Sequence, residues 1–129
     1  MEEVYLSIYC DVFYVADKNV VLVHWKKYCE LEQYREPLMK ALQVINAHRG
    51  CNYVADTRDG FEDNPLDTKW VAEYFMPKAK EYGCSIIYFI IDKDNMDFVE
   101  NIKVLDSLYK RLDEIHAERP AVRQASFNW

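Results

Sequence analysis

At 129 residues, half of them apolar, the chain has the size of one domain, 1–129, with a real hydrophobic core. The net charge of −6 argues against nucleic acid as a partner, since a phosphate backbone needs clustered Lys and Arg. No apolar run approaches membrane-spanning length, and Met1-Glu2-Glu3 lacks the basic start of a signal peptide, so the expectation is a cytoplasmic chain with no membrane insertion.

Val4 to Cys10 reads as a first strand, with Val12–Val15 as a second strand or its continuation past a bend at Asp11. Asp17-Lys18-Asn19 is turn chemistry. Val20 to Trp25 is a strand apolar on both faces, and the tight connections predict antiparallel neighbours. Leu31 to Arg49 has a helical stripe at Leu31, Tyr34, Leu38, Ala41, Leu42 and Ile45. Pro37 conflicts with an unbroken helix, so the regular part starts near Arg35 or the first turn is kinked. Gly50 closes it.

Asn52–Asp56 is a short apolar strand ending in a charge, followed by a loop carrying Asp59, Gly60, Glu62 and Asp63. Asn64-Pro65-Leu66-Asp67 is a helix start: a capping side chain, a proline at the first helical position and a carboxylate in the first turn. Trp70, Val71, Tyr74 and Phe75 give an apolar face. Pro77 predicts a kink or restart near Met76, and Gly83 ends the helix.

Cys84 to Ile91 is nearly all apolar, as expected of a central strand in a parallel sheet. Two strands joined through a helix by a right-handed crossover point the same way. Asp56 and Asp92 should therefore emerge at one edge. Met96 to Glu118 reads as a long helix stopped by Pro120, and Val122 to Phe127 as a last strand. The predicted fold class is α/β: a mixed β-sheet with antiparallel N-terminal strands, then a parallel β-α-β-α core.

This order, with Trp25, Asp56, Arg58, Trp70, Pro77, Gly83 and the Ile86–Ile91 run, resembles the STAS-like (SpoIIAA-like) superfamily. It is most similar to a bacterial branch related to both STAS and CRAL-TRIO proteins. The resemblance implies a SpoIIAA-like fold and a regulatory role. That branch closes with an amphipathic helix, expected here to be absent or reduced after Trp129. Anti-sigma-factor antagonists of the superfamily carry a phosphorylated Ser or Thr at the start of the helix after the equivalent strand. Here the matching zone, Asp63 to Thr68, lacks their Asp-Ser-Ser-Gly-type pattern, and only Thr68 is able to accept phosphate.

Ligands of open α/β sheets sit outside the strand carboxyl ends. The candidate ligand or partner edge is therefore Asp56, Arg58, Asp59, Thr68, Asp92 and Asp94. Arg58 suits an anion near a helix N-terminus, or a neighbouring carboxylate. Trp70, Tyr74 and Phe75 form a wide apolar arc that suits core packing, an apolar ligand or a homodimer contact.

The acidic loop around Asp56, Asp59, Glu62, Asp63 and Asp67 matches no standard cation loop. The segment Asp92, Asp94, Asn95 and Asp97 lacks the glycine of a calcium loop and has Met96 at a ligand position, so no metal is expected. Cys10, Cys29, Cys51 and Cys84 match neither zinc nor redox spacing; Cys10, Cys51 and Cys84 read as reduced core residues. His24, His48 and His116 are scattered, and no nucleophile–base pattern is present. GxGxxG and GxxxxGK[ST] are absent, and no cofactor is expected. The reading is a non-enzymatic regulatory or protein-interaction module, with an unknown protein or small ligand as partner. The alternative is a carrier or sensor of a small apolar ligand or lipid.

Overall fold

The computed structural model describes residues 1–59, 64–92 and 97–125, with side chains at all of these except 97–100 and 125. Gly60, Glu62, Asp63, Asp94, Asn95, Met96, Phe127 and Trp129, and the side chains of Asp97 and Phe98, lie outside the described residues.

Among the described residues, six strands form one sheet in sequence order: β1 (Glu2–Leu6), β2 (Cys10–Val15), β3 (Val20–Trp25), β4 (Asn52–Asp56), β5 (Ile86–Ile90) and β6 (Ala121–Ala125). The first three are antiparallel neighbours, and β3 through β6 run parallel. Helices α1 (Glu32–Ala47), α2 (Pro65–Trp70), α3 (Met76–Glu81) and α4 (Asp97–Ile115) fill the crossovers. The architecture is α/β with a mixed sheet, as the apolar runs and crossover lengths predict.

The first hairpin falls earlier than predicted. Ser7 Oγ accepts from the backbone N–H groups of Tyr9 and Cys10 at 3.1 and 3.0 Å and donates to the Cys10 carbonyl. One serine therefore turns the chain, and Cys10 opens β2 instead of closing β1. Pro37 sits inside α1, which starts at Glu32. Pro77 is accommodated by a π-helical turn, Val71–Phe75, between α2 and α3. There the Met76 N–H donates to Val71, five residues back. The wider turn relieves the crowding of the proline ring against the carbonyl four residues before it.

The register separates the two sheet faces. Val12, Val23, Ala55 and Phe89 align across four strands and belong to the main core, with Leu38, Ile45, Phe75, Ala79, Leu105 and Leu112 of the helices. The opposite face carries Val15, Val20, Leu22, Val54 and Ile90, flanked by Phe13 and Tyr88; among the described residues that cluster contains strand residues only. Among the described residues, no helix is long and apolar enough to cross a membrane.

Candidate functional site

The parallel strands β4 and β5 bring Asp56 opposite Ile90, with Asp92 two residues beyond, so Asp56 and Asp92 leave the sheet at the same end. Register also places Asp11, His24 and Asp56 side by side across β2, β3 and β4. The buried polar residues of the described chain are Asp56, Thr57, Asp67 and Asn101. Asp56 and Thr57 lie at the carboxyl ends of the strands, Asp67 in the helix that follows β4, and Asn101 early in the helix that follows β5. Burial of polar groups is costly unless they are bonded, so their gathering toward one end marks it.

The charges at this end satisfy one another. Arg58 makes a two-pronged contact with Asp56, Nε to Oδ1 at 2.9 Å and Nη2 to Oδ2 at 2.8 Å, and its backbone N–H adds a third bond at 3.2 Å. Burial alone would raise the Asp56 pKa, but the hydrogen bonds and charge of Arg58 outweigh it and hold the carboxyl below its usual value. The same hydrogen bond raises Arg58. His24 Nε2 lies 2.6 Å from Asp59 Oδ2, and Lys26 Nζ 3.1 Å from Asp11 Oδ1. Thr57 Oγ1 donates to the Ile90 carbonyl at 2.7 Å, tying β4 to β5. Arg58 is thus committed to its neighbour, and the open anion receptor is not formed.

Asp67 was legible as a helix-start carboxylate, but its long-range role was not. Asn64 Oδ1 caps α2 by accepting from the N–H groups of Leu66 and Asp67. The Asp67 carboxylate, 1 % exposed, turns away to accept from Leu31 N–H at 2.9 Å and Arg35 Nε at 3.1 Å. Its bond to the Leu31 backbone secures the start of α1, where Leu31 itself takes φ 55°. Thr68 is half-buried on α2 beside this bridge. Asn101 on α4 is buried, and neither amide atom has a partner among the described residues. Nothing in its local sequence distinguishes it from an exposed helix asparagine.

The predicted apolar arc divides. Phe75 is 1 % exposed and belongs to the core, so it is not a surface contact. Trp70 is half-buried, stacked on Tyr74 at 5.4 Å with the Arg35 guanidinium over its ring, and Tyr74 is exposed. Beneath the helices, Trp25, Tyr34, Tyr53, Phe75 and Phe89 help to line an apolar cavity of about 30 Å³. That is room for one or two water molecules and far short of a lipid chain.

All four cysteines are free and buried. Burial pushes the thiols of Cys29, Cys51 and Cys84 up to about 11 and raises Cys10 further. They are protonated at neutral pH and poor nucleophiles. Among the described residues, no group of three His, Cys, Asp or Glu is placed to hold a metal ion.

A scan against protein-family models finds no matching family, and searches of curated proteins and of solved structures find no match.

Proposed function

We propose that the chain is a non-enzymatic interaction module whose partner meets the carboxyl edge of the parallel strands, at Asp56, Arg58, Asp59, Thr68 and Asp92. The observation that carries this reading is the ion-paired rim: Lys26–Asp11, His24–Asp59, Arg58–Asp56 and Arg35–Asp67. Such a rim offers a fixed pattern of alternating charge. Complementary charge patterns select partners and speed encounter more than they add affinity. The resemblance to STAS-like regulators points the same way, by analogy of fold alone. We place the protein in the cytoplasm, because four free thiols suit a reducing compartment.

Affinity capture from the source cell tests the edge. Arg58→Ala and Thr68→Glu should each reduce capture of a partner by the folded domain, with circular dichroism reporting the fold. Unchanged affinity in both variants for every captured partner would remove the proposal.

A second reading, a carrier of a small apolar ligand, draws on the aromatic lining of the core cavity, which at about 30 Å³ would have to widen to take one. Native mass spectrometry of protein purified from its own host should then show an added mass. A bare chain that also fails to shift on lipid addition would count against it.

A further inference from the structure

We propose that an exposed apolar patch centred on Leu31, where α1 and α2 begin, docks a basic amphipathic segment of a partner protein. Leu31 and Leu66 are 46 % and 63 % exposed, and Tyr28 is exposed as well. Two carboxylates gather these residues. Asp67 accepts from the Leu31 N–H at 2.9 Å. Glu30 accepts from the Tyr28 hydroxyl at 2.7 Å and from the Asn64 side chain at 3.0 Å. Leu66 stands between Asn64 and Asp67 in the sequence, so both bonds hold it beside the 28–31 segment. Cys29 is buried and fastens that segment from below.

Leu31 is strained where it stands. Its φ of 55° and ψ of −121° are a backbone geometry that glycine adopts freely and a branched side chain does not. Nearly half of the side chain faces solvent, so little burial offsets that strain. A strained leucine, turned outward and fixed by a buried carboxylate, is suited to contact with another protein.

The surrounding charge sets the chemistry of that partner. Glu30 and Glu32 flank Leu31, both exposed, and neither forms an ion pair among the described residues. The nearby cations are engaged: Lys26 with Asp11, Lys27 over the Tyr9 ring, and Arg35 with Asp67 and over the Trp70 ring. An open depression of about 530 Å³, lined by Glu30, Leu31, Glu32, Gln33 and Arg35, leaves room for incoming side chains. An apolar centre edged by uncompensated carboxylates complements a segment with one apolar face and flanking Lys or Arg. The same carboxylates repel an anionic membrane. The patch lies at the same end of the sheet as the proposed rim but shares none of Asp56, Arg58, Asp59, Thr68 and Asp92 with it. A peptide that binds through Leu31 therefore supports the patch whatever the rim variants do.

The test is fluorescence anisotropy of a labelled peptide of about 14 residues, leucine on one face and lysine on the other, titrated with the full chain at constant ionic strength. A leucine–glutamate peptide of the same pattern is the control. The lysine peptide should saturate and the glutamate peptide should not. Leu31→Gly and Leu31→Ala should each weaken binding about tenfold, Leu66→Ser about fivefold and Glu32→Gln about threefold. Ile8→Ser, at an exposed apolar residue elsewhere, should leave it unchanged. Glycine relieves the backbone strain and alanine retains it, so an equal loss in both assigns the effect to the leucine side chain, with circular dichroism reporting the fold. No saturation in the wild type, wild-type affinity in either Leu31 variant, equal binding of the glutamate peptide, or an equal loss in Ile8→Ser each overturns the proposal. Loss in Leu31→Ala of self-association in sedimentation, or of binding to phosphatidylcholine vesicles, gives the patch to a second copy or to lipid and overturns it too.

Discussion

At their amino ends the parallel strands are stitched by neutral contacts; at their carboxyl ends they are stitched largely by charge. Asn52 Oδ1 at the start of β4 accepts from the N–H groups of Ser85 and Ile86 and from the Ser85 hydroxyl, all at 3.1 Å. The Asn52 N–H donates to Asn19, the Tyr14 hydroxyl donates to the Asn19 side chain, and Tyr14 stacks on His48 at 4.0 Å. Gly83, at φ 103°, approaches Gly50 so closely that a Cβ there would sit 3.1 Å from the Gly50 nitrogen. Among the described residues the opposite end has four ion pairs, and its buried polar side chains reach between elements distant in sequence. Neutral hydrogen bonds and close packing hold one end of the sheet, while the other presents groups whose strength depends on pH, salt and neighbours. That asymmetry is the ground for proposing the carboxyl end as the recognition edge.

Breaking the buried bridge should have the largest effect. Asp67→Ala leaves the Leu31 N–H and Arg35 without their acceptor and should cost roughly 3 kcal/mol in urea unfolding. A loss well under 1 kcal/mol would mean that the carboxyl end is not held together by this group. At the other end, Gly83→Ala should cost about 2 kcal/mol, since both the positive φ and the Gly50 backbone resist a Cβ. Salt should leave the Gly83→Ala loss unchanged.

Acidification sharpens the contrast. The Asp56 pKa is lowered in the fold, so its contribution is present above the unfolded carboxylate pKa of about 4 and is lost as pH falls through the folded value. Wild-type stability should drop more steeply below about pH 4 than that of Asp56→Asn in chemical unfolding, which has no such titration. Parallel slopes would mean that Arg58 does not favour the ionised form. The smallest expected change is a gain. Leu31 is nearly half exposed and strained at φ 55°, so Leu31→Gly should stabilise by about 0.5–1 kcal/mol. A loss of stability would show that the side chain packs more than it strains.

The fold was legible because its strands are unambiguous. Val20–Trp25 and Ile86–Ile90 are apolar on both faces, and Asn64-Pro65 starts a helix by capping and fixed φ alone. The Ser7 turn was hidden because Val4–Cys10 is β-favouring throughout, and one hydroxyl overrides that preference. Pro77 signalled a break, but only the packing of Phe75 and Met76 into the core selects a widened turn instead of a kink. For the site, strand order and a right-handed crossover were enough to place Asp56 with Asp92. The partners of Asp67 lie more than thirty residues away in α1 and just before it, and Lys69 and Arg111 line one cleft only through helix packing. Contacts between elements have no local signal.

The most direct test of the working edge is amide hydrogen exchange of the domain alone and saturated with its captured partner. Slower exchange around Asp56–Arg58, Thr68 and Asp92, with Asn52, Gly83 and Ser85 unchanged, is the result expected. Protection centred on Asn52, Gly83 and Ser85, with the carboxyl ends unaffected, would contradict the account.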